Sequence, residues 1–129
     1  MRYYLAILVL TTASFLVRAQ TSDLDGQAYT IHVQEENEEG EVTIWTDVIR
    51  FEKGKVWADF SQKIGFPPAL YTLEMETAAG LTTYYISAEA TLETGETLTW
   101  TIAITDQYMS GEASRSKTGS DYVFDGKLN

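Results

Sequence analysis

The sequence predicts an all-β fold, a small eight-stranded antiparallel barrel of up-and-down (meander) topology, and three observations carry that prediction. From Gly26 onward polarity alternates with a period of two in short bursts, the pattern of half-buried strands and not of helices. Nearly all the bursts are separated by turns of two to six residues, so successive strands are neighbours in space. Each burst also has one apolar face and one Thr/Glu-rich face. Curling such a sheet into a barrel buries the first face and removes both open edges.

The elements follow in order. Residues 27–35, QAYTIHVQE, place Tyr29, Ile31 and Val33 on one face and Thr30, His32 and Gln34 on the other, so His32 points outward. EENEEG at 35–40 is a polar turn into 41–52, EVTIWTDVIRFE, which is rich in β-branched and aromatic residues. Val42 and Ile44 lie on one parity there and Ile49 and Phe51 on the other, so a β-bulge between Trp45 and Val48 is expected to gather all four on one side. Lys53-Gly54 turns the chain into 55–60, where Val56, Ala58 and Phe60 share one parity and Trp57 holds the other. SQKIGFPPA at 61–69 breaks the pattern, because Pro67 and Pro68 cannot donate to a ladder. It has room for one helical turn at 61–64, and Ile64 and Phe66 suit it to fold over an open end.

The remaining four strands are plainer. Residues 70–77 turn Tyr71, Leu73 and Met75 inward, and 81–92 answer with Tyr84, Ile86, Ala88 and Ala90. In 97–105, TLTWTIAIT, Leu98, Trp100, Ile102 and Ile104 share one face and threonines the other. Residues 108–115 set Gly111 and Ala113 on the face of Met109, and 122–128 close the chain with Tyr122, Phe124 and Leu128 inward.

Ahead of the strands, residues 1–19, MRYYLAILVLTTASFLVRA, read as a secretory signal peptide: Arg2 leads, an apolar stretch runs from Leu5 to Val17, and Val17 and Ala19 stand at the cleavage positions. The stretch is shorter than the roughly 20 residues a bilayer span requires. The expected organisation is a leader at 1–19 and one β-barrel domain at 20–129, exported to the periplasm or the exterior, with no membrane insertion after cleavage. Loss of Arg2 and Arg18 leaves 7 basic against 19 acidic side chains, a formal net charge of −12. A surface so acidic repels phosphate backbones and anionic headgroups, so no nucleic-acid partner is expected.

In their order, the opening LDGQAYTIHV, the segment FEKGKVWADFSQKIGFPPALYT, the pattern TWTIAITDQYMSGEASRSKTG and the closing YVFDGKL resemble the small lipocalin-like secreted proteins of bacteria. The resemblance covers nearly all of 20–129 and implies a calycin-type barrel. Larger lipocalins bind apolar small molecules inside that barrel; where they open on G-x-W, this chain has Gly26-Gln27-Ala28-Tyr29.

The chemistry legible in the chain is that of binding. No Cys is present, which removes disulfides, thiolate metal sites and thiol nucleophiles, and one His leaves little for a His-dependent relay or a clustered metal site. The Glu-rich tip Glu35, Glu36, Glu38, Glu39 and Glu41 lacks the spaced ligand loop that calcium uses, so no metal or other cofactor is expected. Glu74 and Glu76 share an outward face as ordinary surface carboxylates, and no catalytic residue is assigned. The candidate ligand-binding residues are the inward small positions Ala88, Gly111 and Ala113 among Tyr71, Tyr84, Trp100, Tyr122 and Phe124, with Ile64 and Phe66 as a lid. Those small residues either leave a cavity or accommodate the rings in a filled core. The first alternative is a monomeric, non-catalytic binding protein holding a small apolar or amphipathic ligand in or at the mouth of the barrel. The second is an interaction or inhibitor-type protein that meets a macromolecular partner through its loops, with an apolar patch expected near Trp45, Trp57 and 61–69.

Overall fold

The computed structural model describes the backbone of residues 15–18 and the whole of residues 23–129. Nine strands and one short helix follow in the order β1 (Phe15–Arg18), β2 (Ala28–Glu36), β3 (Val42–Glu52), β4 (Lys55–Ala58), α1 (Asp59–Lys63), β5 (Ala69–Ala78), β6 (Leu81–Thr91), β7 (Thr97–Thr105), β8 (Tyr108–Arg115) and β9 (Asp121–Leu128). Strands β2 to β9 pair antiparallel with their neighbours in sequence, and β2 also pairs with β9, which closes an eight-stranded up-and-down barrel. The expected architecture is therefore the observed one, and it is the architecture a calycin-type resemblance implies.

Most of the leader reading, at 1–14 and 19, lies outside the described residues. Within it, Phe15–Arg18 runs antiparallel along the outer half of β5, from Phe15 opposite Thr77 to Arg18 opposite Glu74.

The alternation seen in the sequence becomes the barrel wall. In β7, Leu98, Trp100, Ile102 and Ile104 are buried while Thr99 and Thr101 are exposed, and β2, β5, β6 and β9 behave alike. At four inward small positions, large residues stand directly opposite on both neighbouring strands. Ala88 lies between Tyr71 and Trp100, and Ala113 between Trp100 and Tyr122. Gly111 lies between Ile102 and Phe124, and Gly126 between Met109 and Ile31. A Cβ on Gly111 would stand 2.6 Å from the Thr101 carbonyl oxygen and 3.0 Å from the Phe124 ring, so this position is small because its surroundings are full.

Two expectations are corrected. The β2–β3 register runs unbroken from Ala28 opposite Arg50 to Glu36 opposite Val42, so no bulge forms. Val42 and Ile44 accordingly stay on the outer face, 52% and 68% exposed. The helical turn starts at Asp59, two residues earlier than expected, and shortens β4 to four residues. Its stop is legible: Gly65 at φ +96° follows Ile64, while the Gly65 N–H donates to the Gln62 carbonyl (3.0 Å) and the Phe66 N–H to that of Ser61 (2.9 Å).

Candidate functional site

The barrel has a hairpin end and a helix end, and the helix end carries an open cleft. At the hairpin end, Lys53-Gly54 and Ala79-Gly80 reverse the chain with both residues of each pair at positive φ, the geometry that matches strand twist in a two-residue loop. Leu24 is buried beneath this end, and the Asp25 carboxylate accepts from the Gly54 N–H (3.0 Å) and the Tyr71 hydroxyl (3.1 Å). Burial and that carboxylate push the Tyr71 phenol well above its usual range.

At the helix end, β4 stops after Ala58 and α1 takes over the space beside β3. Ala58 at the helix start has no side-chain oxygen to offer the free N–H groups of the first turn. Asp47, on the inward parity of β3, supplies it. Its Oδ1 accepts from the N–H of Val48 (2.7 Å) and of Asp59 (3.1 Å), and its Oδ2 from the N–H of Phe60 (3.0 Å) and from Trp45 Nε1 (3.1 Å). A carboxylate on a core-facing position is tolerated only with its lone pairs filled, and here they are. Asp47 thereby fixes α1 to β3 and aims Phe60 into the barrel. The Phe60 ring lies 4.7 Å from Tyr122, 5.6 Å from Trp100 and 6.0 Å from Trp45, measured between centroids.

A second buried carboxylate ties the other loops of this end together. Glu96 receives Arg115 through Nη2 (2.8 Å) and Nε (3.3 Å) and accepts the Thr118 N–H (3.2 Å). The Arg115 hydrogen bonds hold the Glu96 carboxyl below its usual range and raise the guanidinium further. The Arg115 guanidinium lies 5.6 Å from the centre of the buried Phe66 ring, which couples the 92–96 and 116–120 loops to the segment after α1.

Between α1 and the neighbouring strand ends lies an open cleft of about 860 Å³. Trp45, Phe60, Ile64 and Tyr122 form its apolar part, and Glu35, Thr46, Asp47, Asp59, Gln62, Lys63 and Arg115 its polar part. Burial pushes the Tyr122 phenol above its usual value. Two shallower depressions, about 670 and 460 Å³, lie on the outer sheet face, the larger beside His32, Tyr108 and Lys127.

Of the ten candidate binding residues, Ile64 and Tyr122 line this cleft. Phe66 is buried behind it, under Arg115. Tyr71, Ala88, Trp100, Ala113 and Phe124 are buried in the wall-to-wall core, Tyr84 packs against that core, and Gly111 fits between Ile102 and Phe124. Sequence reasoning missed Trp45, Asp47, Phe60 and Arg115 as cleft residues. Asp47 carried a usable signal: an acid on the parity of Ile49 and Phe51 must find donors inside. Trp57 is half-buried on the outer face, and the large exposed apolar side chains include Val42, Ile44 and Leu70.

Among the described residues no helix is long and apolar enough to cross a membrane, and no three His, Asp or Glu side chains gather to hold a metal ion. No family model, curated protein or solved structure matches the chain.

Proposed function

We propose that the protein is an exported, non-catalytic binding protein that takes a small apolar or amphipathic molecule at the mouth of its barrel. The observation that carries this reading is the cleft beside α1, which joins an aromatic floor to a rim bearing both signs of charge. The small-against-large register of the interior restricts the ligand to that mouth, with Trp45, Phe60, Ile64 and Tyr122 as contact surface. The resemblance to small secreted lipocalin-like proteins and the leader-like N-terminus favour an exported binding role. Two facts favour binding over catalysis: His32 lies on the outer face, away from the cleft, and Asp47 is saturated by structural donors.

The test is a titration with decanoate and with an uncharged apolar naphthalene probe, read by tryptophan fluorescence and native mass spectrometry. A saturable change that disappears in Trp45→Phe is expected, with Lys63→Glu weakening decanoate several-fold and leaving the neutral probe unchanged. A flat titration with both compounds, or a change that persists without Trp45, sinks the reading. The filled core also suits a scaffold for a macromolecular partner, and one strand edge favours that second role.

A further inference from the structure

The barrel is closed by pairing, yet one stretch of its wall lacks a neighbour. Strand β4 pairs with β3 only from Ile49 to Glu52, so among the described residues the helix-end half of β3 has β2 on one side and no strand on the other. The ladder identifies which groups are left over. The Phe51 N–H donates to Gln27 and the Phe51 carbonyl accepts from Gly26, while at the far end the Glu41 carbonyl accepts from Asn37. In an antiparallel ladder such residues alternate, so odd-numbered residues of β3 bond towards β2 and even-numbered ones point away. Arg50 and Glu52 use that outward direction to meet β4, and the Val48 N–H is taken by Asp47. The backbone groups of Val42, Ile44 and Thr46 have no partner among the described residues.

Exposed edges are ordinarily blunted by a lysine, a proline, a bulge or a cover. Here the free stretch reads Val-Thr-Ile-Trp-Thr, with no lysine or proline and an unbroken register; α1 is tied to β3 at Asp47, beyond the stretch, and among the described residues Val42 and Ile44 are exposed. The chemistry beside it is one-sided. The turn leading into β3 carries Glu36, Glu38, Glu39 and Glu41, and neither of the two ion pairs among the described residues, Arg50–Asp59 and Arg115–Glu96, involves them.

We propose that the β3 edge from Val42 to Thr46 is a strand-addition site for an extended peptide segment whose alternate residues are β-branched or aromatic and whose C-terminal end is basic. The incoming strand completes the ladder at Val42, Ile44 and Thr46 and packs every second side chain against Val42 and Ile44. Running antiparallel to β3, as every strand of this sheet does to its neighbours, it brings its C-terminus to the Glu-rich tip. Basic residues there meet carboxylates that have no cation of their own. This proposal goes beyond the small-ligand reading: the edge borders the cleft at Trp45 and Thr46, while Val42 and Ile44, which the incoming side chains meet, lie outside the cleft lining.

The probe is a fluorescein-labelled peptide, Val-Thr-Val-Thr-Val-Lys-Lys-Lys amide, followed by anisotropy against the full chain and by amide exchange. Saturable binding is expected, with a Glu-tailed version at least about tenfold weaker and a backbone N-methylated version silent. Binding should slow amide exchange at Val42, Ile44 and Thr46, whereas Thr43 and Trp45 are protected with or without peptide. Ile44→Pro removes an N–H that the β2 ladder does not use and should abolish binding. Ile44→Lys, which keeps the backbone donor, should do the same by charging the edge and decides the matter if the proline variant is misfolded. No binding to the unmodified chain, equal binding by Ile44→Lys, or equal affinity for the Glu-tailed peptide overturns the proposal. So does a dimer in sedimentation that Ile44→Lys disperses, which would assign the edge to a second copy. Decanoate binding should survive both Ile44 substitutions, so the two readings fail separately.

Discussion

At the hairpin end of the barrel, two residues join β3 to β4, β5 to β6 and β7 to β8, and Leu24 fills what remains. At the helix end the connections span 37–41, 59–68, 92–96 and 116–120, and the filling is aromatic: Phe60 and Phe66 lie inside and Trp45 flanks them. The hairpin end needs few polar ties because its turns are set by local φ/ψ preference. The helix end depends on buried carboxylates instead, Asp47 gripping the helix start and Glu96 gripping Arg115, since its loops have no ladder to hold them. Order that is built from long-range polar contacts leaves irregular surface between them, and the cleft is that surface.

The widest separation between the ends should come from truncating their plugs. Phe60→Ala removes a ring that touches Tyr122, Trp100 and Trp45 and should cost about 3–5 kcal/mol in urea unfolding. It should also deepen the cleft, so an apolar probe that binds the mouth binds Phe60→Ala at a further site. Leu24→Ala at the opposite end should cost about 2–4 kcal/mol and leave probe binding as it was. Equal effects on binding would mean that the two ends are not separate.

Asp47→Ala is the next largest contrast. It strips the acceptor from three backbone N–H groups and one indole, two of them on α1, with a cost of about 2–3 kcal/mol. Because the loss is local, amide exchange at Asp59 and Phe60 should accelerate far more than exchange in β7. A uniform acceleration would show that Asp47 supports the whole barrel and not the helix alone.

The division between the ends is also the division between what the sequence reveals and what it hides. The inward faces of β2, β5, β6, β7 and β9 were legible because a period-2 pattern and a short turn together fix both face and partner. The start of α1 was not, since its first N–H groups are satisfied by Asp47, twelve and thirteen positions earlier on another strand. The Glu96–Arg115 pair is hidden for the same reason, its members lying nineteen positions apart on different elements. In β3 the alternation itself misled: both parities are apolar, and the bulge that would reconcile them is absent. Local rules tend to fail where a surface serves something other than folding, and Val42 and Ile44 are such a place.

The smallest expected effects separate the ends by pH. The Glu96 carboxyl is held below its usual value, chiefly by Arg115, so its contribution is complete above the unfolded value of 4.5 and is lost as pH falls beneath that. Glu96→Gln should therefore lower Tm at neutral pH and shrink the gap from the unsubstituted protein as the solution is acidified. Phenols behave oppositely: burial raises Tyr71, Asp25 raises it further, and Tyr29 is pushed up to about 12. A group raised in the folded state stabilises fully below its unfolded value, near 10, and that contribution fades as pH climbs above it. Tyr71→Phe should cost about 0.5–1.5 kcal/mol at neutral pH through the lost Asp25 bond. It should also make the protein more resistant than the parent to alkaline unfolding, because one phenol no longer has to ionise beside a carboxylate. Tm measured from pH 3 to pH 11 (roughly the span of these groups) should then show Glu96→Gln starting below the parent and converging on it along the acid limb, and Tyr71→Phe starting below the parent and overtaking it along the alkaline limb. If both variants change the same limb, the helix end and the hairpin end share one electrostatic lock, and the contrast drawn between them fails.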